Sequence, residues 1–420
     1  MLELFPDTAA VHGGELVLGG LRASELAAEH GTPLVVYCEE TIRSQARAYR
    51  QAAPNALVVY GTKAFPNVAL MRMLAEEGVG ADVSTLGELR FAQAAGVPSD
   101  RIIVHGNNKS DEELRAAAEA ETRLLVLDAL EEIPRASAAG VERVLLRVTP
   151  GIEAETHESI RTAHRGSKFG LPPEQAREAV TAAREAGLDL RGLHVHIGSQ
   201  LRDTGAARTT VDWLAAFAAQ CRADLRWTPE TIDLGGGLGI SESLEERAPS
   251  VHDWVGALLE ELDRAWSLHD LPHPELILEP GRSLIGRAGV TLYRVGVVKE
   301  ASETTTYVAI DGGVSDNPRP QLYGARYVGL LANRADDAPT RAYRVAGRHC
   351  ESGDVLIDRV ELPEPHRGDL LAVPATGAYT LSMASNYNGV PRPAAVLVRD
   401  GEARTIKKRE TVEDLLRWET

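Results

Sequence analysis

Residues 56–84 read ALVVYGTKAFPNVALMRMLAEEGVGADVS, and they contain the smallest unit from which the rest of the architecture can be predicted. An apolar, β-branched run at Ala56–Gly61 is followed by a turn and by a helical pattern over Asn67–Glu77. A second apolar run, Val79–Ser84, comes directly after that pattern. A strand, a helix and a strand in this order predict parallel strands joined by a right-handed crossover.

The same order of run, turn and helical pattern recurs along the chain as far as residue 282. The eight runs are Ala56–Gly61, Val79–Ser84, Ile102–Gly106, Leu124–Asp128, Val144–Pro150, Leu193–Gly198, Thr231–Gly235 and Leu276–Glu279. Eight such units predict a closed (β/α)8 barrel over residues 36–285, and an open doubly wound sheet is the main alternative.

The pattern changes after Gly286, where strand-like runs follow one another with few long helices between them. These runs are Val290–Lys299, Thr305–Asp311, Arg341–Gly347, Leu370–Pro374 and Ala394–Val398. They predict a mostly β domain. The amino-terminal segment also contains a strand-like run, Glu15–Leu18, and chain ends often meet. We therefore predict that residues 1–35 join residues 286–420 in this domain.

Composition favours a protein that acts on small molecules. The 420 residues are 44% hydrophobic and 25% charged, with a net charge of −16, which disfavours binding to nucleic acid or to an anionic membrane. No apolar run is long enough to span a bilayer, and the first 15 residues have no basic region typical of a signal peptide. Three widely spaced cysteines are typical of a reducing cytoplasm and exclude a cysteine-built zinc site. We predict a cytoplasmic protein without a metal site.

If the barrel prediction is right, the polar residues that end its strands meet at one mouth, because parallel barrels carry their functional groups on the loops after the strands. The residues concerned are Lys63, Asp82, Ser84, His105, Asn107, Arg147, His194, His196, Ser199, Gly235–Gly237 and Glu279–Arg282.

A reactive amine has few candidates, because the chain contains only six lysines. Lys63 follows the apolar residues Val58–Tyr60, and partial desolvation there would lower its pKa and favour Schiff-base chemistry. Lys109 follows a strand within a polar loop, and Lys168 lies in the Gly-Ser-Lys-Phe-Gly loop. A lysine after a strand is more often simply solvated, so chemistry alone gives Lys63 a small advantage.

The other strand-end residues also have an ordinary structural interpretation beside the functional one. The glycines Gly235–Gly237 could form a turn, or could let backbone amides approach a phosphate on the loops after strands seven and eight. His194 and His196 lie two apart on a predicted strand and would share a face. They could be satisfied core histidines, or one ring could lie on an aromatic cofactor. Glu279 could pair with Arg282, or with a pyridine nitrogen.

At these residues the chain resembles the diaminopimelate, ornithine and arginine decarboxylase family of pyridoxal-phosphate-dependent enzymes, over nearly its whole length. The family's motifs occur here in order. They are Tyr-Gly-Thr-Lys-Ala, His-Val-His-Ile-Gly-Ser-Gln, Asp-Leu-Gly-Gly-Gly, Glu-Pro-Gly-Arg-Ser, Arg-Pro-Gln-Leu-Tyr, Cys-Glu-Ser-Gly-Asp and Gly-Ala-Tyr…Ser-Asn-Tyr-Asn-Gly. Each motif alone is weak, whereas the ordered set is specific.

The resemblance implies pyridoxal 5'-phosphate as the cofactor. Lys63 would carry it covalently, His196 would stack on its ring, and Glu279 would pair with its nitrogen. By the same resemblance, Asp82 would also contribute to binding the cofactor. The phosphate would be held by Ser199, Gly236, Gly237 and the Gly281–Arg282 segment, with help from Tyr379.

The resemblance also implies how the substrate is bound. Arg282, Arg319, Tyr323 and Tyr379 would contact it. Cys350 and Glu351 would reach the site from the partner subunit of a homodimer. Cys350 would be the proton donor.

Within the family, Cys-Glu-Ser-Gly-Asp, Gly-Ser-Lys-Phe-Gly and His-Ile-Gly-Ser-Gln resemble the diaminopimelate branch. Two arginines, Arg282 and Arg319, suit a substrate with an extra carboxylate. We therefore expect decarboxylation of meso-2,6-diaminopimelate to L-lysine, the last step of lysine biosynthesis. The alternatives are a decarboxylase for ornithine, arginine or a carrier-bound amino acid, an amino-acid racemase, and a non-catalytic regulatory or cofactor-carrying protein.

Overall fold

The computed structural model describes residues 1–151, 166–196 and 198–420, and these residues form two compact units. One, here called the β unit, contains Met1–Ser44, Ile240–Arg247 and Arg282–Thr420. The other, the barrel unit, contains Gln45–Gly239 and Ala248–Gly281. No helix within the described residues is long and apolar enough to cross a membrane.

The β unit begins with a small antiparallel sheet of three strands, β1 (Ala10–His12), β2 (Glu15–Leu18) and β3 (Leu21–Arg22). Helix α1 (Ala23–His30) and strand β4 (Leu34–Cys38) follow. All five residues of β4 are buried, so the strand is internal to its sheet. Helix α2 (Glu39–Ala52) then leads into the residue range of the barrel unit.

Eight parallel strands close into a barrel in the second unit. They are β5 (Leu57–Gly61), β6 (Gly80–Val83), β7 (Ile102–Val104), β8 (Leu124–Leu127), β9 (Arg143–Arg147), β10 (Asp189–His194), β11 (Thr231–Asp233) and β12 (Glu275–Leu278). The barrel closes where β12 pairs with β5, with Ile277 opposite Leu57. The predicted barrel is confirmed, and the open sheet is excluded.

One glycine in β10 shows how tightly the barrel strands approach one another. The register between β9 and β10 shifts between Leu190 and Gly192. A Cβ on Gly192 would lie 1.8 Å from the carbonyl oxygen of Thr231 on β11. Only glycine fits this position.

The helices of the barrel unit begin and end at residues whose side chains favour those positions. Thr85 and Ser110 accept hydrogen bonds from the first turns of their helices, and the left-handed Gly96 ends one of them. The helices are α3 (Val68–Glu76), α4 (Leu86–Ala95), α5 (Asp111–Glu119), α6 (Glu132–Ala138), α7 (Pro173–Glu185), α8 (Gly205–Leu225) and α9 (Val251–Leu268).

The main sheet of the β unit contains nine strands, and its path runs β17-β16-β14-β13-β4-β19-β20. Strand β18 pairs with β13 and with β15 beside this path. The strands not yet given are β13 (Gly289–Ser302), β14 (Thr305–Ile310), β15 (Leu330–Leu331), β16 (Arg341–Ala346), β17 (Val355–Leu362), β18 (Leu370–Val373), β19 (Ala394–Arg399) and β20 (Glu402–Lys407). Three short helices, α10 (Arg282–Ile285), α11 (Arg319–Tyr323) and α12 (Val412–Leu416), complete the unit.

The predicted β domain is confirmed, including the part played by the amino-terminal segment. Strand β4 lies between β13 and β19, so the first residues of the chain are part of the main sheet. The predicted domain boundaries, 36–285 for the barrel and 1–35 with 286–420 for the β domain, stay a prediction. Part of the predicted run Leu193–Gly198, residue 197, lies outside the described residues.

Candidate active site

In the barrel unit, the polar residues predicted for the site lie at or just after the carboxyl ends of the strands. This is the end of a parallel barrel that carries function. The residues that the structure places there are Lys63, Asp82, His105, His194, His196, Ser199, Gly235–Gly237, Glu279 and Gly281.

Lys63 lies in a short 3-10 turn, Thr62–Ala64, directly after β5. Its apolar neighbours Val58, Val59 and Tyr60 are buried, but the lysine itself is exposed. The expectation that these neighbours desolvate Lys63 is therefore wrong, because their side chains are buried while the lysine that follows them remains exposed.

Glu279 is surrounded by buried polar side chains. Its Oε1 lies 2.5 Å from His105 Nε2, and its Oε2 lies 3.5 Å from His194 Nε2. The two imidazoles meet edge to face, with centroids 4.8 Å apart. Asp233 completes the group, since these four side chains bring donor or acceptor atoms within 4.8 Å of one another. We call them the Glu279 cluster.

The Glu279 cluster contains buried polar atoms that lack hydrogen bonds. Within the described residues, Glu279 Oε1, Asp233 Oδ2 and both ring nitrogens of His194 have no hydrogen-bond partner. The short contact between His105 and Glu279 is thus a charge contact without hydrogen-bond geometry. Unsatisfied buried groups are costly, and they commonly mark a place where a ligand supplies the missing partner.

Charge in the cluster is concentrated on Glu279. Burial raises the pKa of its carboxyl, but its interactions with His105 and His194 outweigh burial and hold the pKa well below its usual range. Burial lowers the pKa of His194 to about 3, so this ring is neutral near pH 7. Burial, followed by the charge of Glu279, raises the pKa of Asp233 well above its ordinary value. Of the two carboxyls, Glu279 therefore ionises more readily than Asp233.

Asp82 connects the lysine turn to the Glu279 cluster. Its backbone oxygen accepts a hydrogen bond from Thr62 Oγ1 at 2.7 Å, which anchors the turn that carries Lys63. Its Oδ1 lies 3.7 Å from His105 Nε2. Burial raises the pKa of Asp82 to about 6, although the charges of His105 and Lys63 act in the opposite direction.

The glycine loop after β11 is fixed to its neighbours by hydrogen bonds. The Gly235 N–H donates to Asp233 Oδ1 at 2.9 Å, and the Gly236 N–H donates to His196 Nδ1 at 3.3 Å. A Cβ on Gly235 would lie 2.7 Å from His196 Nδ1, and one on Gly236 would lie 2.5 Å from the Glu279 carbonyl oxygen. Glycine is therefore required at both positions.

His196 does not lie on a strand, so the prediction that it shares a strand face with His194 is wrong. Strand β10 ends at His194, although the backbone N–H of Val195 still donates to the Asp233 carbonyl. His194 lies against Glu279, whereas His196 is half-buried and contacts the glycine loop. Because its Nδ1 accepts from Gly236, we assign the ring proton of His196 to Nε2.

In the β unit, two predicted substrate residues lie together with a residue that was not predicted. Glu242 Oε1 is 2.5 Å from Arg319 Nη1 and 3.4 Å from Arg282 Nη1. Arg319 Nη1 also donates to Tyr327 Oη at 2.5 Å. All four side chains are buried. The guanidinium of Arg282 stacks on the ring of Tyr379, 4.7 Å from its centroid.

The remaining predicted residues of the β unit lie at the end of α11 and on the connection between β16 and β17. Tyr323 is half-buried at the end of α11. Cys350 and Glu351 are exposed on the connection between β16 and β17. Glu351 Oε2 accepts a hydrogen bond from Tyr387 Oη at 2.8 Å.

Comparison with known proteins finds relatives over nearly the whole length of the chain. The family model described as "Pyridoxal-dependent decarboxylase, pyridoxal binding domain" matches residues 39–286. A diaminopimelate decarboxylase from Actinosynnema pretiosum subsp. auranticum is 44% identical, over 99% of this chain and 95% of its own length. One from Bacillus subtilis (strain 168) is 42% identical, over 96% of this chain and 95% of its own length.

The chain belongs to the diaminopimelate decarboxylase family of pyridoxal-dependent decarboxylases.

Solved structures of diaminopimelate decarboxylases have the same fold. The structure from M. jannaschii in co-complex with L-lysine has a TM-score of 0.91 and 34% identity, covering 99% of this chain and 98% of that one. The structure from Helicobacter pylori complexed with L-lysine has a TM-score of 0.86 and 30% identity, covering 94% of this chain and 98% of that one.

The residues of the barrel unit fit the cofactor of a pyridoxal-dependent decarboxylase. The ionised, buried Glu279 has an oxygen without a hydrogen-bond partner, which a protonated pyridine nitrogen would satisfy. The glycine loop, free of Cβ atoms, lets backbone amides approach a phosphate. Lys63 is an exposed amine on the same mouth.

The Glu279 cluster could also coordinate a metal ion, because two imidazoles and two carboxyls are a donor set typical of zinc. The cysteine spacing, from which we predicted no metal site, carries no information about these residues. The family assignment favours the pyridine nitrogen as the partner of Glu279.

Sequence reasoning missed Glu242 and Tyr327, which contact the arginine pair. Glu242 lies in the segment Ile240–Arg247, which belongs to the β unit although barrel residues precede and follow it. An isolated glutamate in a polar loop gives no sign of this. The only signal is that the loop after the seventh strand is a place where barrels carry function.

Proposed function

We propose that this protein is a pyridoxal 5'-phosphate-dependent carboxy-lyase that converts meso-2,6-diaminopimelate into L-lysine and carbon dioxide. The observation that carries this proposal is the buried pair Arg282 and Arg319, which shares a single carboxylate, Glu242. A distal carboxylate on the substrate suits such a pair, whereas the amine or guanidine of ornithine or arginine would be repelled by it. Relatives named diaminopimelate decarboxylase and neighbours solved with L-lysine support the same substrate.

For the cofactor, we propose the roles that the barrel residues suit by position. Lys63 would hold the cofactor covalently through its side-chain amine. His196 would lie against the cofactor ring, and the hydrogen bond that it accepts from Gly236 fixes the imidazole. Glu279 would pair with the ring nitrogen and keep it protonated. When bound, the cofactor supplies an electron sink for the bond that breaks between Cα and its carboxylate.

The phosphate is proposed to bind on the loops after the seventh and eighth strands. Backbone amides of Gly237 and of the Gly281–Arg282 segment are the donors, Gly236 leaves space for the phosphate because it has no Cβ, and Ser199 and Tyr379 contribute side chains. Asp82 acts on the cofactor by holding the Lys63 turn through Thr62, since its carbonyl accepts the threonine hydroxyl.

Substrate recognition is proposed to use charge and orientation. Arg282 and Arg319 bind the distal carboxylate, Tyr323 and Tyr379 contribute hydroxyls, and Glu351 binds the distal ammonium. Holding the distal end would orient the substrate, because a bond that is misplaced is not aligned for cleavage.

Protonation is proposed to depend on a second copy of the chain. Cys350 and Glu351 are exposed, and both belong to one connection between strands. In a homodimer, Cys350 of one subunit would donate the proton that replaces the carboxylate at Cα in its partner's site. The exposed position of Cys350 in a single chain agrees with such a shared site.

The deciding experiment supplies purified protein, loaded with pyridoxal 5'-phosphate, with meso-2,6-diaminopimelate. We expect lysine and carbon dioxide in equal amounts, and no turnover by Lys63→Ala. Ornithine, arginine and lysine serve as competing substrates. Faster decarboxylation of any of these than of meso-2,6-diaminopimelate would refute the proposed substrate.

A further inference from the structure

Glu242 already occupies the position between Arg282 and Arg319 at which an anion would bind. One oxygen, Oε1, contacts both guanidiniums, at 2.5 Å to Arg319 Nη1 and 3.4 Å to Arg282 Nη1. Its backbone N–H donates to Glu246 Oε2 at 3.1 Å, which holds the loop that presents it. Two arginines are therefore bridged by one carboxylate.

The charges of Glu242, Arg282 and Arg319 do not cancel one another. Glu242 and the two arginines are buried, with side-chain exposures of 4%, 9% and 3% for Glu242, Arg282 and Arg319. Two guanidiniums and one carboxylate leave a single net positive charge. An unbalanced charge that is buried binds a counter-ion strongly, because water screens it little.

Hydrogen-bond donors also remain unused around the same charge. Within the described part of the chain, Arg282 Nε, Arg319 Nε and Asn317 Nδ2 are buried without a hydrogen-bond partner. The ring faces of Tyr379 and Tyr327 lie against the two guanidiniums, 4.7 Å and 5.7 Å from ring centroid to guanidinium carbon. Aromatic faces favour cations, so they stabilise the guanidiniums without satisfying these donors.

We propose that Glu242 is a specificity-determining residue that limits the arginine pair to one singly charged carboxylate and excludes doubly charged anions. This inference rests on the proposed function, in which Arg282 and Arg319 receive the distal carboxylate of the substrate. With Glu242 ionised, one bound carboxylate brings the net charge of Glu242, Arg282, Arg319 and the ligand to zero. Without Glu242, two uncompensated guanidiniums would match a dianion such as sulfate or phosphate, and these would compete with the substrate.

The test compares Glu242→Gln with wild type in the cofactor-loaded protein. Glutamine keeps the size of the side chain and an acceptor oxygen, and it removes only the charge. Glu245→Gln is the matched control, because Glu245 lies three residues along the same loop and is exposed. Sulfate is the dianion and acetate the monoanion, at ionic strength held constant with sodium chloride.

Two readouts are needed, the inhibition constant of each anion against lysine formation and the rise in melting temperature that each anion causes. We expect the preference for sulfate over acetate to increase at least tenfold in Glu242→Gln and to stay unchanged in Glu245→Gln. Glu242→Asp, which keeps the charge, should retain the wild-type preference. An unchanged preference in a folded Glu242→Gln protein would overturn the proposal.

A charge-compensated pair of variants keeps the proposal testable if Glu242→Gln does not fold. Arg319→Gln alone reduces the net charge to zero and should abolish stabilisation by acetate. Adding Glu242→Gln to it restores one positive charge and should restore that stabilisation. Failure of the double variant to bind acetate would contradict the charge argument. The melting measurements need no substrate, so they can fail or succeed independently of the lysine assay.

Discussion

Lys109 and Glu132 form a buried ion pair in which the ammonium of Lys109 has no free hydrogen-bond donor. Its Nζ lies 3.0 Å from each carboxylate oxygen of Glu132 and 2.7 Å from the carbonyl oxygen of Gly106. An ammonium has three donors, and these three acceptors match them. The lysine that resembles Lys63 most in its sequence position is therefore a structural residue.

The first prediction follows from this pair. Borohydride reduction of the cofactor-loaded protein should attach the cofactor irreversibly to the peptide that contains Lys63, because this amine is exposed directly after β5 whereas the donors of Lys109 are used in its ion pair. Mass spectrometry of a digest checks this. Lys168→Ala, which removes the exposed lysine on the loop after β9, is the control and should label normally. A label on Lys109 or Lys168 would show that the proposed cofactor lysine is wrong.

The second prediction concerns the two subunits. Lys63→Ala and Cys350→Ala should each be inactive. A mixture of the two should regain part of the wild-type activity, because one site of a mixed dimer contains both intact residues. Subunit exchange is verified separately with tagged chains. Exchange without recovery of activity would exclude a site that is shared in this way.

The third prediction concerns the distal carboxylate. Arg319→Ala should lower kcat/KM for meso-2,6-diaminopimelate severely, since loss of a buried charge partner costs on the order of 2–5 kcal/mol. The absorption spectrum of the bound cofactor should stay unchanged. Arg326→Ala, at an exposed arginine seven residues on, is the control and should leave turnover intact. If both variants behave alike, Arg319 does not bind substrate.

The fourth prediction separates the two carboxyls of the Glu279 cluster. Burial, followed by the charge of Glu279, raises the pKa of Asp233 well above its ordinary value, so asparagine should replace it with little loss, keeping an acceptor for the Gly235 N–H and a donor toward Glu279. Asp233→Ala should weaken cofactor binding by about tenfold or more, because it leaves buried groups unsatisfied. Titration of the cofactor-free protein with pyridoxal 5'-phosphate measures this. Equal losses in Asp233→Asn and Asp233→Ala would mean that Asp233 is ionised.

The fifth prediction concerns stability in the β unit. Burial raises the pKa of Asp316 to about 7, despite hydrogen bonds from Tyr293 Oη and the Gly313 N–H. The folded state then binds more protons than the unfolded state between about pH 4 and 7, so this group lowers stability as pH rises through that range. The loss is roughly 4 kcal/mol at most.

Asp316→Asn removes this ionisation and should flatten the fall in the free energy of unfolding between pH 4 and 7. Denaturant unfolding at several pH values measures the effect. Asp336→Asn, at an exposed aspartate of the same unit, should leave the pH dependence as it is in wild type. A variant at Asp316 that keeps the wild-type slope would assign the pH dependence to other groups.

Much of the barrel could be predicted from the sequence because several strands contain buried apolar runs, such as Leu124–Leu127, and several helices begin at a capping side chain, such as Thr85 or Ser110. Strand β17, which has no such run, was missed. Strand β17 alternates buried and exposed residues and is interrupted by Asp358 and Arg359, so its pairing with β16 has no strong local signal.

The positions of Lys63 and Glu279 at the carboxyl ends of barrel strands could be predicted, because each residue follows an apolar run in the sequence. The site was not predictable where a residue acquires its role only from distant contacts. Glu242 meets Arg319 across 77 positions, and Tyr327 meets the same arginine from a loop with no motif. The exposure of Lys63 was also misjudged, because apolar neighbours in sequence do not fix the direction of a turn.

The central position of β4 in the main sheet of the β unit affects how the nascent chain folds on the ribosome. Its partners β13 and β19 are synthesised only after the whole barrel has emerged. The barrel residues can collapse as a nascent chain, since domains generally fold in order of synthesis. Until these partners are made, β4 has unpaired strand edges, which expose the amino-terminal segment to aggregation. Synthesis of β13 and β19 is therefore the event that protects the edges of β4.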